Sequence, residues 1–160
     1  MPIIEGKNAA EIEWFNKENV AIKDQLISWL RELGHETETT ENTATREEEI
    51  SGEYDVKEYT IKIDKSLQIQ IKPYGIWIIG AKGRIDIHGP SGYEKIVYFL
   101  PGGPVPETEI KTGDKAIKKS TKAYFKTVDS EGWYWYDDSS YRKVAKFSKE
   151  IIEPLLERLQ

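Results

Sequence analysis

Residues 67–100 read LQIQIKPYGIWIIGAKGRIDIHGPSGYEKIVYFL, and this stretch decides the fold. Leu67, Ile69 and Ile71 alternate with Gln68, Gln70 and Lys72, the pattern of a strand with one face on a core and the other in water. Pro73-Tyr74-Gly75 predicts a turn. The continuous apolar run Ile76-Trp77-Ile78-Ile79 then predicts a strand buried on both faces. Gly80 and Gly83 bracket a second turn, Ile85 and Ile87 alternate with Arg84, Asp86 and His88, and Gly89-Pro90-Ser91-Gly92 returns the chain into Ile96, Tyr98 and Leu100. Connections of about two to four residues are too short for parallel crossovers, so these strands are sequential antiparallel neighbours.

On the N-terminal side, Ile12, Phe15, Ile22, Leu26, Trp29 or Leu30, and Leu33 recur at helical spacing, which predicts an amphipathic helix from about Ala9 to Leu33. Asn8 with Glu11 predicts its cap and Gly34 its stop. Glu36 to Glu48 is rich in Thr and Glu and has no apolar anchor, so it reads as a weakly ordered connection or a mobile lead-in to a strand. Tyr54, Val56, Tyr59, Ile61 and Ile63 predict one strand, with a bulge near Lys57 to account for the change of phase between Val56 and Tyr59.

Beyond the meander, Pro101 to Pro106 opens a polar, lysine-rich excursion to about Thr121, and Ala123–Val128 and Trp133–Tyr136 predict two further strands. Ser148 is placed to cap a last helix carrying Ile151, Ile152, Leu155, Leu156 and Leu159. Phe147 is placed to staple against Ile152, and Pro154 should kink or shorten this helix. The chain of 160 residues is therefore expected to be a single α+β domain. Its core is an antiparallel meander sheet of about five to seven strands, packed by a long N-terminal and a C-terminal helix.

Apolar residues make up 38% of the chain and charged residues 32%, enough for a core inside a solvated shell. No Cys is present, so disulfides, a thiolate nucleophile and a Cys-based zinc site are excluded and a cytoplasmic home is favoured. No basic region followed by an apolar run opens the sequence, and no stretch is apolar enough for a helical membrane span. A formal charge of −5 argues against generic binding to nucleic acid or anionic membrane. The charge is uneven. From His35 to Asp55 eight acidic residues stand against Arg46, and from Lys111 to Lys126 six lysines stand against Asp114. Two solvated segments are the plain account of this; a docking surface for a charged partner is the sharper one.

Arg84, Asp86 and His88 share one strand face and could converge on a ligand, although alternating polar residues on a half-exposed strand ordinarily just meet water. The segment Gly83-Arg84-Ile85-Asp86-Ile87 with its following turn resembles the aspartate hairpin of restriction-endonuclease-like nucleases. That resemblance implies an Asp on one strand and a Glu-x-Lys on the next. Here the next strand reads Val97-Tyr98-Phe99, so the Glu and Lys are missing. A second placement takes Asp64 with Gln70 and Lys72 as a Gln-x-Lys variant beside Asp86. Trp133-Tyr134-Trp135-Tyr136 is a candidate binding block, because large aromatics exposed together anchor proteins, sugars or bases; a packed core pair is the alternative. No nucleophile elbow, Walker loop, dinucleotide fingerprint, zincin or EF-hand motif is present, and no cofactor is implied.

Residues 79–92, IGAKGRIDIHGPSG, resemble a segment of short uncharacterised bacterial proteins that also end in an apolar helix. The resemblance marks a fold and implies no activity. Together these readings predict a non-enzymatic module of a bacterial cytoplasm, of immunity, antitoxin or regulatory type, that binds another protein through the acidic stretch or the aromatic block. A metal-dependent nuclease or its inactive relative, and a small-ligand carrier with a pocket between sheet and helices, are the alternatives.

Overall fold

Ile61, Ile63, Ile69, Ile71, Ile85, Ile87 and Ile96 are each no more than 2% exposed and lie on successive neighbouring strands, so one sheet face is a continuous aliphatic surface. Such a face has to be covered, and two helices cover it. The computed structural model describes residues 7–48, 51–76, 81–101, 128, 130–137 and 143–160. Helix α1 (Lys7–Glu32) is followed by strands β1 (Thr37–Glu48), β2 (Gly52–Ile63), β3 (Leu67–Ile76), β4 (Gly83–Gly89), β5 (Gly92–Phe99), β6 (Gly132–Asp137) and β7 (Lys143–Lys146). A 3-10 turn (Lys149–Ile151) leads into helix α2 (Ile152–Leu159). The seven strands stand side by side in chain order and every pairing is antiparallel, so the meander extends over the whole sheet. No helix among the described residues is long and apolar enough to cross a membrane.

Phe15, Ile22, Leu26 and Leu30, spaced by seven, four and four residues, form the buried stripe of α1. Lys7 is already helical, so Asn8 lies within α1 rather than ahead of it as the capping pattern suggested. Its end matches the expectation. Gly34 takes φ +93°, its N–H bonds the carbonyl of Arg31 and that of His35 bonds Leu30, the paired bonds of a Schellman end.

Three local expectations are overturned. The Thr/Glu-rich segment is not a weakly ordered lead-in: it is β1, paired residue for residue with β2 from Thr37↔Ile63 to Glu48↔Gly52. A polar strand needs no buried face of its own when backbone bonds and a β-favouring Thr content hold it to a buried neighbour. The register shows no bulge at Lys57 either. Instead β3 pairs with β2 only from Tyr59 to Ile63, and beyond that point the β1–β2 hairpin leaves the sheet as an arm. On the arm Tyr54 packs edge-on against Phe15, so the buried parity of β2 changes where its neighbours change.

The side-chain amides of Asn16 and Asn19 donate to the carbonyls of Asp55 (3.2 Å) and Lys57 (2.8 Å), taking the place of the missing β3 backbone. From the other side Arg46 donates to the Pro73 carbonyl at 2.8 Å, and Glu48 accepts from the Ile76 N–H at 3.0 Å and from the Tyr54 hydroxyl.

Pro73-Tyr74-Gly75 is not a turn. β3 runs through it to Ile76, and the β3–β4 register shifts between Pro73 and Gly75, so Tyr74 is the extra residue of a bulge. The bulge accommodates a proline with no N–H to give to a ladder. Trp77–Gly80, the excursion after Leu100 and all but the last residue of the strand expected over Ala123–Val128 fall outside the described residues; Val128 is buried.

The β4–β5 turn holds as expected, with Gly89 paired to Gly92. Gly89 is required there: a Cβ would lie 2.5 Å from the Leu159 carbonyl oxygen and 2.6 Å from the Leu159 Cβ. The Ser91 N–H and hydroxyl close the end of α2 by bonding the carbonyls of Leu159 (3.1 Å) and Gln160. Strand β7 carries no periodic signal in four residues and was not anticipated. Pro154 is accommodated because α2 starts only two residues before it, so the proline sits in the first turn, where no intrahelical donor is required. Ser148 makes no side-chain cap bond, and the Phe147 ring lies 5.0 Å from that of Trp29.

Candidate functional site

The sheet face away from the helices gathers the polar residues of β2 to β5. Thr60↔Gln70, Gln70↔His88, Lys72↔Asp86 and His88↔Tyr93 are cross-strand partners, so Gln70, Lys72, Arg84, Asp86 and His88 do share one surface. They do not simply meet water. Asp86 is 5% exposed, and both its oxygens are held by Arg84, Nε at 2.8 Å and an Nη at 3.1 Å. The guanidinium in turn lies 4.0 Å from the ring centroid of Tyr74 on the bulge, a cation–π contact that the bulge makes possible. His88 stacks on Tyr93 at 5.2 Å. Burial and then the neighbouring Lys72 ammonium push its pKa below the ordinary imidazole value, so it is neutral at physiological pH.

Toward β1 the same surface continues as a second closed pair. Arg46 reaches Glu58 at 2.7 Å and Asn42 donates to the other Glu58 oxygen at 3.3 Å. Burial raises the Glu58 carboxyl, but Arg46 and Asn42 outweigh it and hold the group below its usual range. Each of these carboxylates is engaged on both oxygens, Asp86 by Arg84 and Glu58 by Arg46 and Asn42, and such charge-assisted bonds fix the side chains in place.

Asp64 is elsewhere. It lies in the β2–β3 turn with φ +53°, and Leu67 to Lys72 alone spans roughly 16 Å of strand. Its oxygens accept from His35 Nδ1 (2.6 Å) and from the Glu36 N–H (2.8 Å), while His35 Nε2 faces Glu153 of α2 at 3.1 Å. Of the four residues in the nuclease reading, Gln70, Lys72 and Asp86 are brought together and Asp64 is not. Among the described residues no three His, Asp or Glu side chains gather as a metal would need.

The aromatic block divides between the two faces. Trp133 (9% exposed) and Trp135 (8%) belong to the helix-side core and Tyr134 (1%) to a smaller cluster on the opposite face with Val97, Phe99, Val128 and Val144, so these three rings are packed rather than displayed. Trp133 stacks on Trp14 at 6.2 Å with Tyr98 edge-on at 5.3 Å, and its indole N–H donates to Glu18. Lys82 caps the group 4.1 Å from Trp14. Burial and a bond to Glu131 push the Tyr98 hydroxyl up to about 12. Tyr136 is half-buried beside the smaller cluster.

Tyr74 and Tyr93 on the sheet face away from the helices are exposed, and so is the hairpin arm. No residue of β1 is buried and eight of its twelve are exposed, and its side chains include Glu38, Glu41, Glu47 and Glu48 against Arg46 alone. A groove of about 750 Å³ runs between α1 and the arm, lined by Ile12, Val20, Tyr54 and the stems of Glu13, Lys17 and Glu53. The interface beneath the helices is filled by the aliphatic core. Sequence reasoning missed Arg46, Glu58, Asn16 and Asn19, because their partners are backbone groups and strands fixed by a register that periodicity does not carry. No family model matches this chain, and no curated protein or solved structure is significantly similar to it.

Proposed function

We propose that this protein is a non-catalytic interaction module of the immunity, antitoxin or regulatory kind, acting in the cytoplasm on another protein, and that the acidic β1–β2 arm is its contact surface. One observation carries the reading: a polar twelve-residue edge strand, on a hairpin whose outer half leaves the sheet and is tied to its neighbours by contacts from Asn16, Asn19, Arg46 and Glu48, contributes almost nothing to the core. Segments without core packing persist in ordered form where their surface is used. The saturated Arg84–Asp86 and Arg46–Glu58 pairs speak for structure rather than catalysis on the opposite face.

Immobilised protein exposed to native extract should retain one stoichiometric partner, identified by mass spectrometry. The triple variant Glu38→Lys, Glu41→Lys, Glu47→Lys should release it while keeping the wild-type circular dichroism spectrum. Recovery of no stoichiometric partner, or equal recovery by the triple variant, would sink the reading.

A further inference from the structure

We infer that β1 accepts an extended, lysine- or arginine-rich segment of a partner protein as an eighth strand of the sheet. The inference rests on the reading of the arm as a contact surface and names what binds it and how. Its starting point is backbone direction. The carbonyls of Asp55 and Lys57 face Asn16 and Asn19 on α1, so odd-numbered residues of β2 point their backbone groups away from β1 and even-numbered ones toward it. The unbroken register transfers that parity across the pair. Even-numbered residues of β1 are bonded to β2, and Thr37, Thr39, Glu41, Thr43, Thr45 and Glu47 turn their N–H and C=O groups to the outer edge. The direction is corroborated twice: the Glu36 carbonyl bonds inward to the Asp64 N–H, and the Thr45 carbonyl is met by Arg46 Nη1 at 3.2 Å, not by β2.

No described residue pairs with this edge. Sheet edges in folded proteins are ordinarily blunted by shortness, proline, a bulge or charged side chains; β1 is twelve residues long with no proline and no bulge, and the charges it carries are almost all of one sign, so they repel acidic strands and admit basic ones. Charge selects the occupant. Glu38, Glu41 and Glu47 favour a basic strand, since Arg46 is engaged by Glu58 and Glu48 by Ile76 and Tyr54, and they disfavour a second copy of β1, which would set like charges opposite one another. The Thr positions provide cross-strand partners for the small residues of such a segment.

The test uses the full chain and a fluorescein-labelled peptide of about twelve residues alternating lysine and threonine, followed by anisotropy at low salt. A second peptide carries N-methyl groups on two adjacent central amides, which blocks both of its edges and leaves its charge unchanged. The first peptide should bind, the methylated one at least about tenfold more weakly. Thr43→Pro, which removes an outward N–H, should weaken the first peptide by a similar factor, and Thr43→Ala should not. Equal binding of the two peptides would overturn strand addition and leave the acidic contact surface standing. Concentration-dependent dimerisation abolished by Thr43→Pro, without peptide binding, would overturn the inference in favour of a second copy. Absence of any binding by a monomer would also overturn it, whatever the extract experiment recovers. The methylated peptide keeps the test valid even if Thr43→Pro fails to fold.

Discussion

The two edges of the sheet are built to opposite rules. β7 is four residues long, carries Lys143 and Lys146, and is drawn into the core by Ala145 beside Trp135 and by Phe147, whose N–H bonds the Trp133 carbonyl before the chain enters α2. β1 is three times as long, acidic, exposed on both faces, and attached to the rest of the molecule through polar contacts. Apolar burial at about 25 cal/mol per Å² makes the β7 side part of the global fold. Hydrogen bonds worth about 1 kcal/mol each make the arm a segment that can open by itself. One edge is short and joined to the core at its ends; the other is long and polar and is held by its pairing with β2 and by the contacts where the hairpin leaves the sheet.

Breaking the packed side should have the largest effect. Ile152→Ala removes a fully buried side chain from α2 and should cost about 2–5 kcal/mol in denaturant unfolding, with β4 to β6 losing protection together. Gly89→Ala forces a methyl group onto Leu159 and should cost about 1–3 kcal/mol; a wild-type melting curve would show that the turn and α2 can part without loss. On the arm, Asn19→Ala frees the Lys57 carbonyl but also removes a buried Oδ1 that has no partner, so the net cost should be about 1 kcal/mol. Its signature is local: hydrogen exchange should accelerate in 52–58 and not in β4 or β5, and uniform acceleration would refute the separate arm.

The His35 clasp, which joins the end of α1, the β2–β3 turn and α2, sharpens the comparison by pH. Bonds from Asp64 and then Glu153 raise the His35 pKa, so its contribution is complete below the ordinary value of 6.5 and is lost as pH rises through the raised one. Asp64, held low by His35, contributes above 3.8 and loses this as pH falls through its depressed value. Above pH 6.5 the melting temperature should therefore fall more steeply in the wild type than in His35→Gln, where the depressed pKa of His88 leaves only a shallow trend of the opposite sign. The smallest effect is expected for Thr43→Pro. Its N–H faces outward and its hydroxyl meets only the exposed Lys57, so stability should change by less than about 1 kcal/mol.

Where core and solvent alternate along a strand, the architecture was legible in the residues: the isoleucines of β3 and β4, the Gly89–Gly92 turn, the stripe of α1 and the Schellman glycine. Those patterns record burial, a property each residue carries into the fold. Where a strand is polar, or where its neighbours change along its length, composition is silent, and so β1 resembled a mobile linker and β2 a bulged strand. The candidate residues divide the same way. That Arg84, Asp86 and His88 share a face follows from their spacing. That Arg84 saturates Asp86, that Asp64 clasps His35 instead of joining them, and that Trp133, Tyr134 and Trp135 are packed follows only from register and from which helix lies on which face. By itself the sequence determined an antiparallel α+β meander with two helices and an acidic stretch. The tertiary structure decided that this stretch is an ordered strand at the edge of the described sheet, because pairing between strands distant in the chain is a backbone property that side-chain periodicity does not encode.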